Sequence, residues 1–328
     1  MKPAMITHYM HTRGGVVLLW LVAIACSYHA MIHGAVTPFQ GQGGLALPSA
    51  NNWLEGGSWA SWGTSMGVNA LIAIMTIIIN RTFNVLRSMT MLFAGLYPVM
   101  MMATPSLFGQ LYGGTILLLA VLMSQMVLYA IYSSPGSTRQ VFLIFFIMAL
   151  TALACRAALF YLPVLLLGCV QMRVLHWRSF LAALLGVITP VWILLGFGII
   201  SIDHFTWPHL EIMSPVLNSD DMPPLIVTIG FTMLIGVLAT LANLVKMISY
   251  KAQVRALNGF IIVTLIATAA LIFFDLEDAL ILVPVLNMFV AIQLAGFFGR
   301  HSESRHGFLP LWGLVLIYFL LYQWTLYT

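Results

Sequence analysis

Long apolar runs alternate with short polar separators along the whole chain, and each run is about as long as a membrane crossing. A helix needs about 20 apolar residues, within a range of roughly 17 to 25, to cross a hydrocarbon core of ~30 Å. Runs of this kind occupy residues 14–33, 59–79, 89–106, 111–132, 140–155, 157–172, 179–200, 225–245, 257–274, 280–298 and 308–325. The pattern predicts an all-α, polytopic transmembrane bundle of eleven spans, organised as a single integral membrane domain over residues 1–328. The pair 140–155 and 157–172 is the weakest, because sixteen residues at ~1.5 Å each reach only ~24 Å. Such a pair is either a tilted hairpin or two spans in a locally thinned bilayer. Without it nine spans remain, and every other segment keeps its side.

Composition agrees with lipid as the solvent. Of 328 residues, 61% are hydrophobic and 7% charged, whereas soluble domains devote about a quarter of their residues to charge. Three cysteines are too few for a disulfide-stapled secreted domain. The net charge of +4 does not signal nucleic acid, because the cations are scattered between apolar runs rather than gathered on one face. They report topology instead.

Alternate separators, counted from the N-terminus, hold Lys2, Arg13, Arg81, Arg87, Arg139, Arg173, Arg178, Lys246, Lys251, Arg255, Arg300 and Arg305. The opposite separators hold only Arg156, together with Glu55, Asp203, Glu211, Asp220, Asp221, Asp275, Glu277 and Asp278. Cytoplasmic loops collect Lys and Arg, so the N-terminus is expected inside and the C-terminus outside. The first run follows Lys2 and Arg13, and Ala23-Ile24-Ala25-Cys26 loosely matches a lipoprotein cleavage box. It continues past Cys26 to His33 and reads as a helix that is kept. No repeat of 20 to 50 residues is present, which excludes a solenoid.

Candidate chemistry concentrates on the expected outer face. No Asp, Glu, Lys or Arg falls inside any run, which argues against an ion-driven pump, since coupling needs ionisable groups at depth. Asn69, Ser124, Gln125, Asn243, Asn287 and Gln293 do lie inside runs, and they read first as hydrogen-bonding residues between helices. Outside, Glu55, Asp203, Asp220 and Asp221 are the catalytic candidates. Carboxylates from separate loops can converge on a divalent cation or act as a general base, although an Asp-Asp pair is also ordinary turn chemistry. Arg156 is the candidate substrate-binding residue, suited to gripping a phosphate bidentately, or else a snorkelling arginine. His29 and His33, four apart, share a helix face. They serve as an interfacial anchor or, joined by a carboxylate, as metal ligands.

Pro98, Pro190 and Pro284 each remove a hydrogen bond to the residue four earlier, Ala94, Gly186 and Leu280. The freed carbonyls must find neighbours or a water-lined cavity. Gly63-Thr64-Ser65-Met66-Gly67 suits a close helix crossing.

The stretch Leu159-Phe160-Tyr161-Leu162-Pro163, then Arg173-Val174-Leu175-His176-Trp177-Arg178-Ser179-Phe180, then Gly186-Val187-Ile188-Thr189-Pro190 resembles a family of uncharacterised multi-pass membrane proteins common in Bacteroidetes. Asn80-Arg81-Thr82-Phe83-Asn84 is similar to that family's Asn-Arg turn, while Ser179 stands where the family usually has an acidic residue. The resemblance, over residues 65–200, implies a Gram-negative inner-membrane protein with a cell-envelope role and brings no catalytic residues.

Three classes of function fit these features. One is an enzyme that transfers a lipid-linked glycan at the outer surface, with membrane lipid and the lipid-linked substrate as its partners and a divalent cation as the cofactor its carboxylates would take. The second is a facilitator-type transporter or flippase, and the third a non-enzymatic assembly subunit. Sidedness is open to direct measurement: positions 84, 136 and 250 are expected inside and 45, 215 and 328 outside. Single-cysteine labelling with an impermeant reagent should modify position 215 and spare position 84, and the reverse pattern would overturn the topology.

Overall fold

The computed structural model describes residues 13–34, 36, 44–49, 53–86, 91–134, 136–199, 222–274, 279–300 and 308–327. Its helices are α1 (Arg13–Ile32), α2 (Trp59–Phe83), α3 (Leu92–Met102), α4 (Pro105–Phe108), α5 (Gly113–Ala130) and α6 (Thr138–Ala154). A 3₁₀ turn, Arg156–Phe160, leads into α7 (Tyr161–Gln171), followed by α8 (Trp177–Gly196), α9 (Met222–Met247), α10 (Ala252–Phe274), α11 (Ala279–Arg300) and α12 (Phe308–Tyr327). The described residues are helical with no strand. Every apolar run falls on a helix, and eight of them, α1, α2, α5, α8, α9, α10, α11 and α12, are long and apolar enough to cross a membrane. The other three runs lie on shorter helices: α3, α6 and the 3₁₀ turn with α7.

The ends of the bundle are marked by hydrogen bonds between turns. At one end, Ser133 N donates to Met172 O at 2.9 Å, Gln171 Nε2 to Ala256 O at 3.1 Å, and Asn258 Nδ2 to Val85 O at 2.7 Å. Arg81, Arg139, Arg173, Arg178, Lys246, Lys251 and Arg255 lie at this end and all are exposed. At the other end, Leu45 N and Leu47 N donate to Ala152 O and Leu153 O, laying residues 44–47 across the C-terminus of α6. That docking buries Leu45, which shields position 45 from reagent. The short pair α6 and α7 thus runs from the basic end to the opposite one and back.

Two helices make the centre. Every residue of α3 is buried, and it touches α1, α2, α11 and α12. Helix α11 packs against α3, α5, α9 and α10, and 83% of its most apolar stretch is buried, against 22% for the peripheral α8. Asn287 Nδ2 of α11 reaches the Met101 sulfur of α3 at 3.2 Å. Helix α8 lies on α6, where a side chain at Gly186 would meet Phe142 O at 2.6 Å, so only glycine permits that approach.

The run 89–106 is not one helix. Proline restricts the residue before it to extended backbone, and Thr104, at φ −123° and ψ 72°, leaves the helical region ahead of Pro105. Helix α3 therefore stops at Met102. Within α3, Pro98 frees the carbonyl of Ala94, and the indole Nε1 of Trp20 donates to that oxygen at 2.9 Å. A neighbouring side chain thus satisfies the kink without water. Gly63 and Gly67 make no close crossing: a side chain at either would meet nothing within 4 Å. The tight approach to α1 is at Gly95, where a Cβ would lie 2.8 Å from Leu19 Cδ1.

Replacing Trp20 by Phe should destabilise the fold by about 1–3 kcal/mol, the range for stranding a buried acceptor. Adding Pro98→Ala, which restores an N–H to bond Ala94 O within the helix, should recover part of that loss. A double-mutant cycle read by reversible unfolding in detergent checks it; strict additivity would show that the indole acts through packing alone.

Candidate functional site

The described residues of the expected outer-face site do not form a cluster. Glu55 is exposed in the turn before α2, where its carbonyl accepts from the Ser58 hydroxyl at 2.7 Å. Ser58 also caps α2 by accepting from Ser61 N. Arg156 is only 8% exposed, in the 3₁₀ turn packed on α6 and α7. It shares the bundle end with Glu55 and is buried there rather than snorkelling, close to where residues 44–47 dock on Ala152 and Leu153. Asp203, Asp220 and Asp221 lie outside the described residues. Among the described residues no three metal-ligating side chains come together.

His29 and His33 share a face as their spacing demands, with ring centroids 4.3 Å apart. His29 Nδ1 sits 3.0 Å from the hydroxyl of Tyr322, which donates to Cys26 O at 2.9 Å. The pair thus ties α1 to α12. Tyr28, Trp59 and Trp62 gather beside it with centroids 5.9 to 6.3 Å apart, and Trp62 Nε1 donates to Ser27 Oγ. Such amphipathic rings suit the headgroup layer.

A polar face inside the bundle escaped the sequence reading. Ser61, Ser65, Asn69, Thr76 and Asn80 fall at helical spacing on the inward side of α2, the first four fully buried and Asn80 half-buried. At ~1.5 Å per residue they cover about 28 Å, close to the thickness of a bilayer core. Ser61 Oγ accepts from Leu111 N at 3.0 Å, and Ser65 Oγ donates to Phe108 O at 2.9 Å. Asn69 Oδ1 accepts from the Tyr97 hydroxyl at 2.6 Å while its Nδ2 donates to Ser65 O. Asn80 Oδ1 accepts from Leu86 N at 3.0 Å, just past the left-handed cap at Asn84 (φ 48°, ψ 45°), and so terminates the helix. The four-residue spacing of Ser61, Ser65 and Asn69 is the signal of this face in the sequence.

This face runs into two small clefts at the basic end, each of about 20 Å³, which share Val85 and Leu86 as a wall. The first is lined by Thr76, Asn80 and Gln125 among apolar residues of α3, α5, α10 and α11; the second by Asn243, Tyr250, Asn258 and Gln293. Gln125 Nε2 donates to the Tyr129 hydroxyl, which donates in turn to Leu257 O at 2.9 Å. Asn243 Nδ2 donates to Gln293 Oε1 at 2.6 Å and Gln293 O at 2.8 Å. Among the described residues, no Lys, Arg, Asp or Glu lines either cleft. Asn69, Asn243, Asn287 and Gln293 therefore do join helices, as expected, whereas Gln125 bonds Tyr129 of its own helix.

No family model, curated protein or solved structure matches this chain. An unpaired arginine at mid-bilayer costs about 2.5–3.5 kcal/mol on insertion scales. Since Arg156 sits at a bundle end, Arg156→Leu should leave membrane insertion almost unchanged in a translocon assay. A gain of that size would place the residue deep.

Proposed function

We propose that this chain is an eleven-span inner-membrane protein, N-terminus inside, that works as a facilitator for an uncharged polar group. The observation that carries this reading is the buried polar face of α2, which runs from Ser61 to Asn80 and meets two small clefts that no charged side chain lines among the described residues. A solute moving through lipid needs replacement hydrogen bonds at every depth, because each unsatisfied polar group there costs several kcal/mol. Hydroxyls and amides spaced by one or two turns provide them without the energetic penalty of a buried charge. The absence of ionisable side chains from the apolar runs fits passive movement, since a driven pump needs charge at depth. The end-to-end path of α6 and α7 supports eleven spans over nine. The exposed cations at one bundle end support that end as cytoplasmic.

A second reading, transfer of a lipid-linked glycan at the outer face, keeps the support of Arg156, which is buried at the same end as Glu55. Under it, Glu55, Asp203, Asp220 and Asp221 supply the base or hold a divalent cation, and Arg156 holds the phosphate. Either activity places the chain in the cell envelope, in keeping with the Bacteroidetes membrane family it resembles.

Two measurements separate the readings. In proteoliposomes under an osmotic step of glycerol, stopped-flow light scattering should show swelling several-fold faster than in empty vesicles, and Asn69→Leu should remove most of the increase. Rates equal to those of empty vesicles would defeat the facilitator. Amide replacement of all four carboxylates should abolish a deletion phenotype's complementation only if the chain is the transferase, because a general base typically supplies 10²–10⁴-fold in rate.

A further inference from the structure

We propose that His29 and His33, at the C-terminal end of α1, chelate one late first-row divalent metal ion, Zn²⁺ or Cu²⁺, with Tyr322 of α12 as a positioning residue. The site is independent of the facilitator reading and goes beyond it.

Both imidazoles are exposed, so an ion can reach them. Spacing by four residues puts them on one helix face, with ring centroids 4.3 Å apart and an interplanar angle of 50°. Two imidazoles that share one ion through bonds of about 2.0–2.1 Å hold their ring centres roughly 5 Å apart. A small rotation of the exposed His33 ring completes that arrangement.

The hydrogen bonds around His29 prepare one nitrogen for a metal. The Tyr322 hydroxyl donates its single proton to Cys26 O at 2.9 Å, so towards His29 Nδ1, 3.0 Å away, it can only accept. Neutral His29 is therefore the Nδ1–H form, and its Nε2 carries the lone pair that a metal needs. Metal-binding histidines almost always donate their second ring N–H in this way, which fixes the ring and raises the basicity of the ligating nitrogen. Tyr322 is only 2% exposed, so the orienting group is itself held in place. An anchor in the headgroup layer needs polar rings but neither a paired face nor a fixed tautomer.

Charge and ligand type select the ion. Helix α1 ends at Ile32, and the partial negative charge of a helix C-terminus favours a cation there. Imidazole suits zinc, copper and nickel, whereas Mg²⁺ and Ca²⁺ take oxygen ligands. Among the described residues no third His, Cys, Asp or Glu joins the pair. Water therefore takes the remaining positions, which keeps the site open to an external ligand.

The test uses the full chain in phosphatidylcholine nanodiscs, with Zn²⁺ and Mg²⁺ titrated separately by calorimetry and Cu²⁺ followed by electron paramagnetic resonance. Zn²⁺ should bind with no matching heat from Mg²⁺, and His29→Ala or His33→Ala should each remove that binding. The Cu²⁺ spectrum should show coupling to two imidazole nitrogens and lose one of them in His33→Ala. Tyr322→Phe takes away the acceptor for Nδ1–H and leaves both imidazoles. It should weaken Zn²⁺ binding by about tenfold or more while the two-nitrogen coupling persists. His33→Ala alters only an exposed ring, so it decides alone if Tyr322→Phe does not fold. Zn²⁺ binding that survives both histidine variants belongs to other side chains and would overturn the proposal. So would equal affinity for Mg²⁺, or no binding at all, which would leave the pair as an interfacial anchor.

Discussion

A carbonyl oxygen released from its helix inside a lipid bilayer must find a donor from the protein, and the centre of this bundle is organised around one such oxygen. Pro98 releases Ala94 O, and the Trp20 indole takes it up. The bond requires α1 to lie against α3 at that height, where Gly95 lets Leu19 and Val16 come close. With α1 in place on one side and α11 on another, α3 is buried along its whole length and does not have to match the bilayer. That explains why an eleven-residue helix can sit at the heart of a membrane protein: its polar ends meet protein rather than lipid. The segment that follows, residues 103–112, holds only the one-turn helix α4 for the same permissive reason. Ser61, Ser65 and Thr325 hold its backbone groups from the side.

The positions of the helices were legible because run length and helix length are the same physical quantity in a membrane. Even the short runs 140–155 and 157–172 fall on helices, α6 and the 3₁₀ turn with α7. Burial was not legible. In water an amphipathic pattern distinguishes the core side of a helix, but lipid is as apolar as leucine, so the sequences of α3 and of peripheral α8 look alike in apolar content. Only small residues betray a close approach, and they mislead when read singly: Gly186 marks the α6–α8 contact, while Gly63 and Gly67 face open space. The break at Thr104–Pro105 was readable from the proline, yet it lay inside a run whose apolar character masked it.

The candidate site divides in the same way. Charge signalled Glu55 and Arg156 because ionisable residues are rare here, but rarity alone does not bring residues together. Arg156 is buried in the turn after α6, and the loop that docks on the end of α6 depends on Gly44, since a side chain there would overlap the Leu153 carbonyl. Hydroxyls gave a weaker signal, because serine and threonine in apolar helices usually bond back to their own turn, as Thr76 does to Ile72 O and Thr264 to Phe260 O. What sets the α2 residues apart is their partners: Ser61, Ser65 and Asn69 bond to Leu111, Phe108 and Tyr97, which belong to other segments. Spacing predicts a shared face, and only tertiary structure says what that face meets.

The two ends of α2 perform opposite tasks with the same residue types. Toward Ser61, every polar group is tied to backbone of residues 108–111, which fixes the fold at that end. Toward Asn80, the hydrogen bonds close a helix terminus, beside neighbouring helices whose Gln125 Oε1 and Asn243 Oδ1 are buried without a hydrogen-bond partner. A polar face that served only to hold helices together would have its acceptors matched by donors at both ends, because each unmatched group works against the packing it is meant to secure. One helix face thus fixes a loop at one end and terminates its own helix at the other, using the same few hydroxyl and amide side chains.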